Sequence, residues 1–114
     1  MVDQINDVER ARIVSVLDAA KRGLWDDFKR LTDVDFPNEE SMHSQFQASI
    51  EQLRQFNGLS SFESHAQPQS DGSRLIYVRI APVESARTSI RMTLQSSPPG
   101  CDHGIRILTF HPEL

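Results

Sequence analysis

The 114-residue chain has one cysteine, Cys101, so no disulfide can form within it. It has no excess of positive charge: 12 Lys and Arg stand against 16 Asp and Glu, for a formal net charge of −4. Nucleic acids and anionic membranes call for a dense Lys/Arg footprint, so neither is an expected partner. No apolar run approaches the roughly 20 residues that span a bilayer. The opening residues, Met1-Val2-Asp3-Gln4-Ile5-Asn6-Asp7, are acidic and lack the basic and apolar regions of a secretory signal. A cytoplasmic location is the expectation. There is no Gly-x-Ser-x-Gly, no Gly-x-x-x-x-Gly-Lys and no Gly-x-Gly-x-x-Gly, so nothing points to serine hydrolysis or to nucleotide chemistry.

Metal-ligating and nucleophilic residues are also sparse. Cys101-Asp102-His103 gathers three donor types, with His65 and His111 elsewhere in the chain. Structural zinc takes four ligands in paired spacings, and one Cys without a His-x-x-x-His pair falls short. Cys101 follows Pro98-Pro99-Gly100 and precedes Asp102, a loop setting that disfavours a reactive thiolate. Asp26, Asp27, Asp33 and Asp35 read as a solvated acidic edge. The sequence therefore predicts no metal, no cofactor and no catalytic set, and it leans away from an enzyme.

What is present describes an ordinary globular domain, with 38% apolar and 25% charged residues, expected as one unit over residues 1–114. Asn6 is an N-cap with Glu9 in the capping-box position. Val8, Ala11, Val14, Leu17 and Ala20 follow at helical spacing, which predicts a helix over Asp7 to Arg22, ended by Gly23. Leu24, Trp25, Phe28 and Leu31 predict a second helix over Leu24 to Thr32. Asn38 caps a third, in which Met42, Phe46, Ile50, Leu53 and Phe56 form the stripe, with Asn57-Gly58 at its end.

Beyond Gly58 the period changes to two. Leu59 to His65 predicts a first strand, and Arg74–Ile80, Ala86–Gln95 and Gly104–Phe110 predict three more. Successive strand residues point to opposite faces. Matching apolar to apolar predicts an inner face of Ile76, Val78, Ile80, Ile90, Met92, Leu94, Leu108 and Phe110. The outer face then carries Leu75, Tyr77, Ile105 and Ile107 beside Arg79, Arg87, Arg91, Ser89 and Thr93. The predicted architecture is α+β: three N-terminal helices packed on one face of a curved, mostly antiparallel sheet of about four strands.

The order of elements, a helix, a glycine break, a short aromatic helix opened by Gly23-Leu24-Trp25-Asp26-Asp27-Phe28, a third helix and an antiparallel sheet, resembles the nuclear-transport-factor-2-like superfamily of cone-shaped α+β proteins. Its small bacterial members of unknown function are the nearest in pattern. The resemblance covers about Asp7 to Phe110. One departure is that members often place a strand between the second and third helices, where Val34–Phe36 is barely long enough. The superfamily holds isomerases, cyclases, dehydratases, ligand-binding domains and protein-interaction domains, so the resemblance implies a scaffold and leaves its use open.

Three uses follow. The first is a non-catalytic domain that homodimerises or binds a protein through the outer sheet face, with Tyr77, Arg79, Arg91 and Ile107 as interface residues, because Tyr and Arg are enriched at interfaces. The second is a small apolar-ligand binder whose cone is lined by Trp25, Phe28, Phe46, Met92 and Phe110, with Phe62 beside them. The third is an isomerase or cyclase, which needs an inward-facing acid or base; the predicted inner sheet positions supply none. The first is the primary expectation.

Overall fold

A computed structural model describes residues 5–54, 60–82, 89–98 and 104–112. The predicted Asn57-Gly58 stop, Phe56, Leu59, Arg87 and Cys101-Asp102-His103 lie outside those residues. Three helices precede four strands: α1 (Asp7–Arg22), α2 (Trp25–Lys29), α3 (Glu39–Arg54), β1 (Ser60–Pro68), β2 (Arg74–Pro82), β3 (Ile90–Ser96) and β4 (Ile105–Pro112). The strands form one antiparallel sheet in the order β1-β2-β3-β4.

Helix α1 starts and stops as its sequence dictates. The Asn6 side chain accepts from the Glu9 N–H at 2.8 Å, and the Glu9 carboxylate accepts from the Asn6 N–H at 2.9 Å. Gly23 ends the helix at φ 69°, in the left-handed region that glycine enters without a Cβ clash. Helix α3 is likewise capped by Asn38, whose side chain accepts from the Ser41 N–H at 2.9 Å. Helix α2 is shorter than its apolar stripe predicts. After Arg30 the chain leaves the helix and runs beside β4, where the Asp33 N–H donates to the Ile105 carbonyl at 2.9 Å.

That excursion seals one edge of the sheet. The Ile105 N–H donates to Asp33 Oδ2 at 2.8 Å and the Ile107 N–H to Thr32 Oγ1 at 3.0 Å. Further along, the Phe110 N–H donates to Gln45 Oε1 and Ser49 Oγ donates to the Phe110 carbonyl. An edge strand otherwise offers a row of unpaired backbone groups; here side chains of the 32–33 segment and α3 take them up. Arg12 reaches the same point, donating to Asp33 Oδ2 at 3.2 Å and to the Leu31 carbonyl. Partial burial pushes the Asp33 carboxyl up, but the Ile105 N–H and the Arg12 guanidinium together outweigh it, and the group sits below its ordinary value.

At the other edge, β1 extends to Pro68, beyond the predicted end at His65. Proline costs little there. The Gln69 N–H is bonded to the Ser73 carbonyl, so Pro68, one step along and opposite Arg74, stands where an N–H would point away from β2. The β1–β2 turn is tightened by Asp71, which accepts from the Ser73 N–H and hydroxyl; the Ser73 hydroxyl is the main reason its carboxyl is held low. Gly72 adopts φ 88° in this turn.

One buried cluster takes side chains from all seven elements, including Ile13, Val16, Phe28, Phe46, Ile50, Ala66, Ile76, Val78, Met92, Leu94 and Phe110. In β2 and β3 the inward residues are those predicted. In β4 they are not. Ile105 and Ile107 are buried at 4% and 3% exposure, whereas Leu108 is 36% exposed. The cause is a β-bulge: Thr93 pairs with Thr109, but its neighbour Leu94 pairs with Ile107. The extra residue, Leu108, reverses the inside–outside phase between the two halves of the strand.

A buried ion pair ties α1 to the sheet. Arg74 donates from Nε to Glu9 Oε2 at 3.1 Å and from Nη2 to Glu9 Oε1 at 3.0 Å. The Glu9 side chain is 1% exposed and that of Arg74 27%. The capping carboxylate thus also anchors the first residue of β2.

Candidate functional site

The sheet face turned away from the buried cluster is built in rows by strand register. Glu63, Arg79, Arg91 and His111 are successive cross-strand partners in one row. His65, Tyr77, Thr93 and Thr109 form the next, and Gln67, Leu75, Gln95 and Arg106 a third. Residues of the first two rows line a groove of about 720 Å³. The His65 and Tyr77 rings lie 5.2 Å apart at 31°, within the range of favourable aromatic pairs. Arg79 donates from Nε to Ser89 Oγ at 3.3 Å.

Three of the four predicted interface residues meet here. Tyr77, Arg79 and Arg91 line the groove. Ile107 does not belong with them: the bulge turns it into the buried cluster, and its N–H is bonded to Thr32. Ser89, also expected outside, is 3% exposed. Sequence reasoning did not place Glu63, His65 or His111 on this face; the two histidines entered it only as possible metal donors. The signal for the β1 pair was parity, since Glu63 and His65 alternate with the half-buried Phe62 and Ser64 and the buried Ala66. His111 was missed because the predicted strand ended at Phe110, whereas β4 runs on to Pro112.

The residues predicted to line an apolar cone are packed against one another. Phe28 and Phe46 have ring centroids 4.6 Å apart, Phe28 and Phe110 5.3 Å, and Trp25 and Phe46 5.5 Å. Phe28, Phe46 and Phe110 are 0% exposed and Met92 1%. Trp25 is half-buried, with its ring 4.7 Å from that of His43 in an edge-on contact. Phe62 lies at the margin, and the Arg10 guanidinium sits over its ring at 5.8 Å, a cation–π contact.

Among the described residues the buried charged one is Glu9, and its carboxylate is engaged by Arg74 and the Asn6 N–H. Among the described residues no group of three His, Cys, Asp or Glu side chains is arranged to hold a metal ion. No described helix is long and apolar enough to cross a membrane. No family model matches the chain, and neither a curated protein nor a solved structure matches it.

Proposed function

We propose that this protein is a non-catalytic interaction domain of the nuclear-transport-factor-2-like type, its three helices covering the inner face of a curved sheet and its outer face the working surface. The observation that carries this reading is the groove of about 720 Å³ on that face, lined by Tyr77, Arg79 and Arg91. A mixed surface of tyrosine, arginine and small polar residues is the composition that protein interfaces favour. The aromatic interior supports the same reading. Its rings occupy the centre, where a cone-type enzyme or carrier keeps its ligand.

Site-directed photo-cross-linking tests the proposal. A photoreactive phenylalanine analogue replaces Tyr77 in one variant and Leu24 in another; Leu24 is 40% exposed and lies in the α1–α2 connection. Irradiation in cells that make the protein is expected to give adducts of discrete mass from position 77 and none from position 24. The absence of adducts from position 77, or equal adducts from both positions, would overturn the proposal.

A further inference from the structure

The two edges of the sheet are finished differently. The β4 edge is taken up by residues 32–33 and by α3. The β1 edge is open: among the described residues, no backbone group outside the sheet bonds to β1. Strand register says which of its groups point outward. The Gln69 N–H is bonded to the Ser73 carbonyl, and β1 pairs with β2 without a shift from Pro68 back to Ser60. Odd-numbered residues of β1 therefore turn their N–H and C=O toward β2, while Ser60, Phe62, Ser64 and Ala66 turn theirs outward. Such an edge is a template for another strand, and β1 carries neither lysine nor bulge, two devices that keep edges apart.

We infer that the occupant of this edge is β1 of a second copy of the chain, antiparallel, with Ser64 on the two-fold axis, so that two sheets join into one. The surface involved is the strand edge, separate from the outer face proposed above as the working surface. In this register the whole strand is paired, and outward residues meet outward residues: Ser64 its own copy, Phe62 the partner's Ala66 and Ser60 the partner's Pro68. That makes about eight backbone hydrogen bonds. Pro68 has no N–H to give, but it stands at the end of the ladder, where its lack costs least. On the outer face Glu63 falls opposite the partner's His65, and His65 opposite the partner's Glu63. These are the positions without backbone bonds, where side chains come closest, and an imidazole in either protonation state has an N–H for the carboxylate. On the inner face Phe62, half-buried at the margin of the core, meets the small Ala66.

Other arrangements fit less well. Bonds form only where outward residues meet outward residues, so the nearest alternative registers place either Glu63 or His65 against its own copy. The first sets two carboxylates face to face, which is destabilising; the second loses the carboxylate–imidazole pairs; both shorten the ladder. A strand of an unrelated protein finds the same backbone groups, but it has no cause to present a histidine to Glu63 and a carboxylate to His65 at matching positions. The β1 sequence supplies both to itself, because Glu63 and His65 flank Ser64 symmetrically.

The test is sedimentation velocity over a range of protein concentrations. The wild-type chain is expected to form a reversible dimer that dissociates in the micromolar range. Ser64→Pro removes an outward N–H at the centre of the ladder and no β1–β2 bond, a place where an edge strand tolerates proline; it is expected to weaken the dimer at least tenfold. His65→Glu sets carboxylates opposite one another on both sides of the axis and is expected to weaken it severalfold, and adding Glu63→Lys is expected to restore most of the loss. Val14→Glu, on the exposed surface of α1, is expected to leave association within twofold, with far-ultraviolet circular dichroism confirming that each variant folds. The inference is overturned if the wild-type chain stays monomeric at several hundred micromolar, if Ser64→Pro associates as well as wild type, or if the double variant associates no better than His65→Glu. None of these outcomes bears on the outer face, which is tested by cross-linking from position 77, so the two readings fail separately.

Discussion

The Glu9–Arg74 pair allows a prediction in which the two halves of one interaction behave differently. Glu9 has two tasks: its carboxylate accepts from the Asn6 N–H to complete the α1 capping box, and it receives two hydrogen bonds from Arg74. Its side chain is 1% exposed, and that of Arg74 is 27% exposed. Arg74→Met leaves a carboxylate buried without its cation, a class of change that costs about 3–5 kcal/mol. Glu9→Gln removes the charge but keeps a side chain that serves a capping box equally well, and the remaining guanidinium is open enough to recruit water. Its cost is expected to be about 1–2 kcal/mol, the scale of a hydrogen bond to a charged group. The double variant is expected to lie close to Glu9→Gln alone, giving a coupling energy close to the whole Arg74→Met cost, about 3–5 kcal/mol. The cycle subtracts whatever else each side chain touches. Urea denaturation followed by circular dichroism supplies all four stabilities. A domain of this size is stable by about 5–15 kcal/mol, so the weakest variant retains a folded baseline wherever the wild type is stable by more than about 7 kcal/mol. Equal losses from the two single variants, or a coupling below about 0.5 kcal/mol, would refute the claim that Glu9 is the more dependent partner.

Two further outcomes concern the point where residues 32–33 meet β4. Gly104 has φ 66°, and a Cβ there would run into the Asp33 carboxyl; Gly104→Ala combines backbone strain with displacement of that carboxyl and is expected to cost about 2–4 kcal/mol by urea denaturation, less in an Asp33→Ala background. Asp33 is held below its ordinary value in the folded chain, so its stabilisation is fully present above the unfolded carboxyl value of about 3.9 and is lost as pH falls through the folded value. Urea midpoints of wild type and Asp33→Asn, measured from pH 7 to pH 2, are expected to differ at neutral pH and converge below about pH 4; a constant difference across that range would contradict the assignment.

The helices were legible because their signals are local. Asn6 with Glu9, Gly23, Asn38 and the four-residue steps through Met42, Phe46 and Ile50 each act within one or two turns. Helix α2 was over-extended because Leu31 continues the apolar stripe. The backbone bonds that draw Asp33 to Ile105 join residues 72 positions apart, and no local pattern announces them. The Arg74 partner of Glu9, 65 residues away, was hidden for the same reason.

Parity worked in β2 and β3, where alternation runs unbroken from Ile76 to Ile80 and from Ile90 to Leu94. It failed in β4 because the segment Ile105-Arg106-Ile107-Leu108-Thr109-Phe110 contains two apolar sets, one odd and one even. Any single phase must expose one of them. The chain keeps both Ile105/Ile107 and Phe110 inside by spending one residue, Leu108, on a bulge. A strand whose two apolar sets cannot share a face is itself a sign of a bulge between them. Applied here, that rule places the irregularity between Ile107 and Phe110. It moves Ile107 off the outer face and leaves Arg106, Thr109 and His111 on it. The proposed interaction face then reads as a polar and arginine-bearing platform around Tyr77, and Ile105 and Ile107, the apolar residues expected beside it, lie in the core.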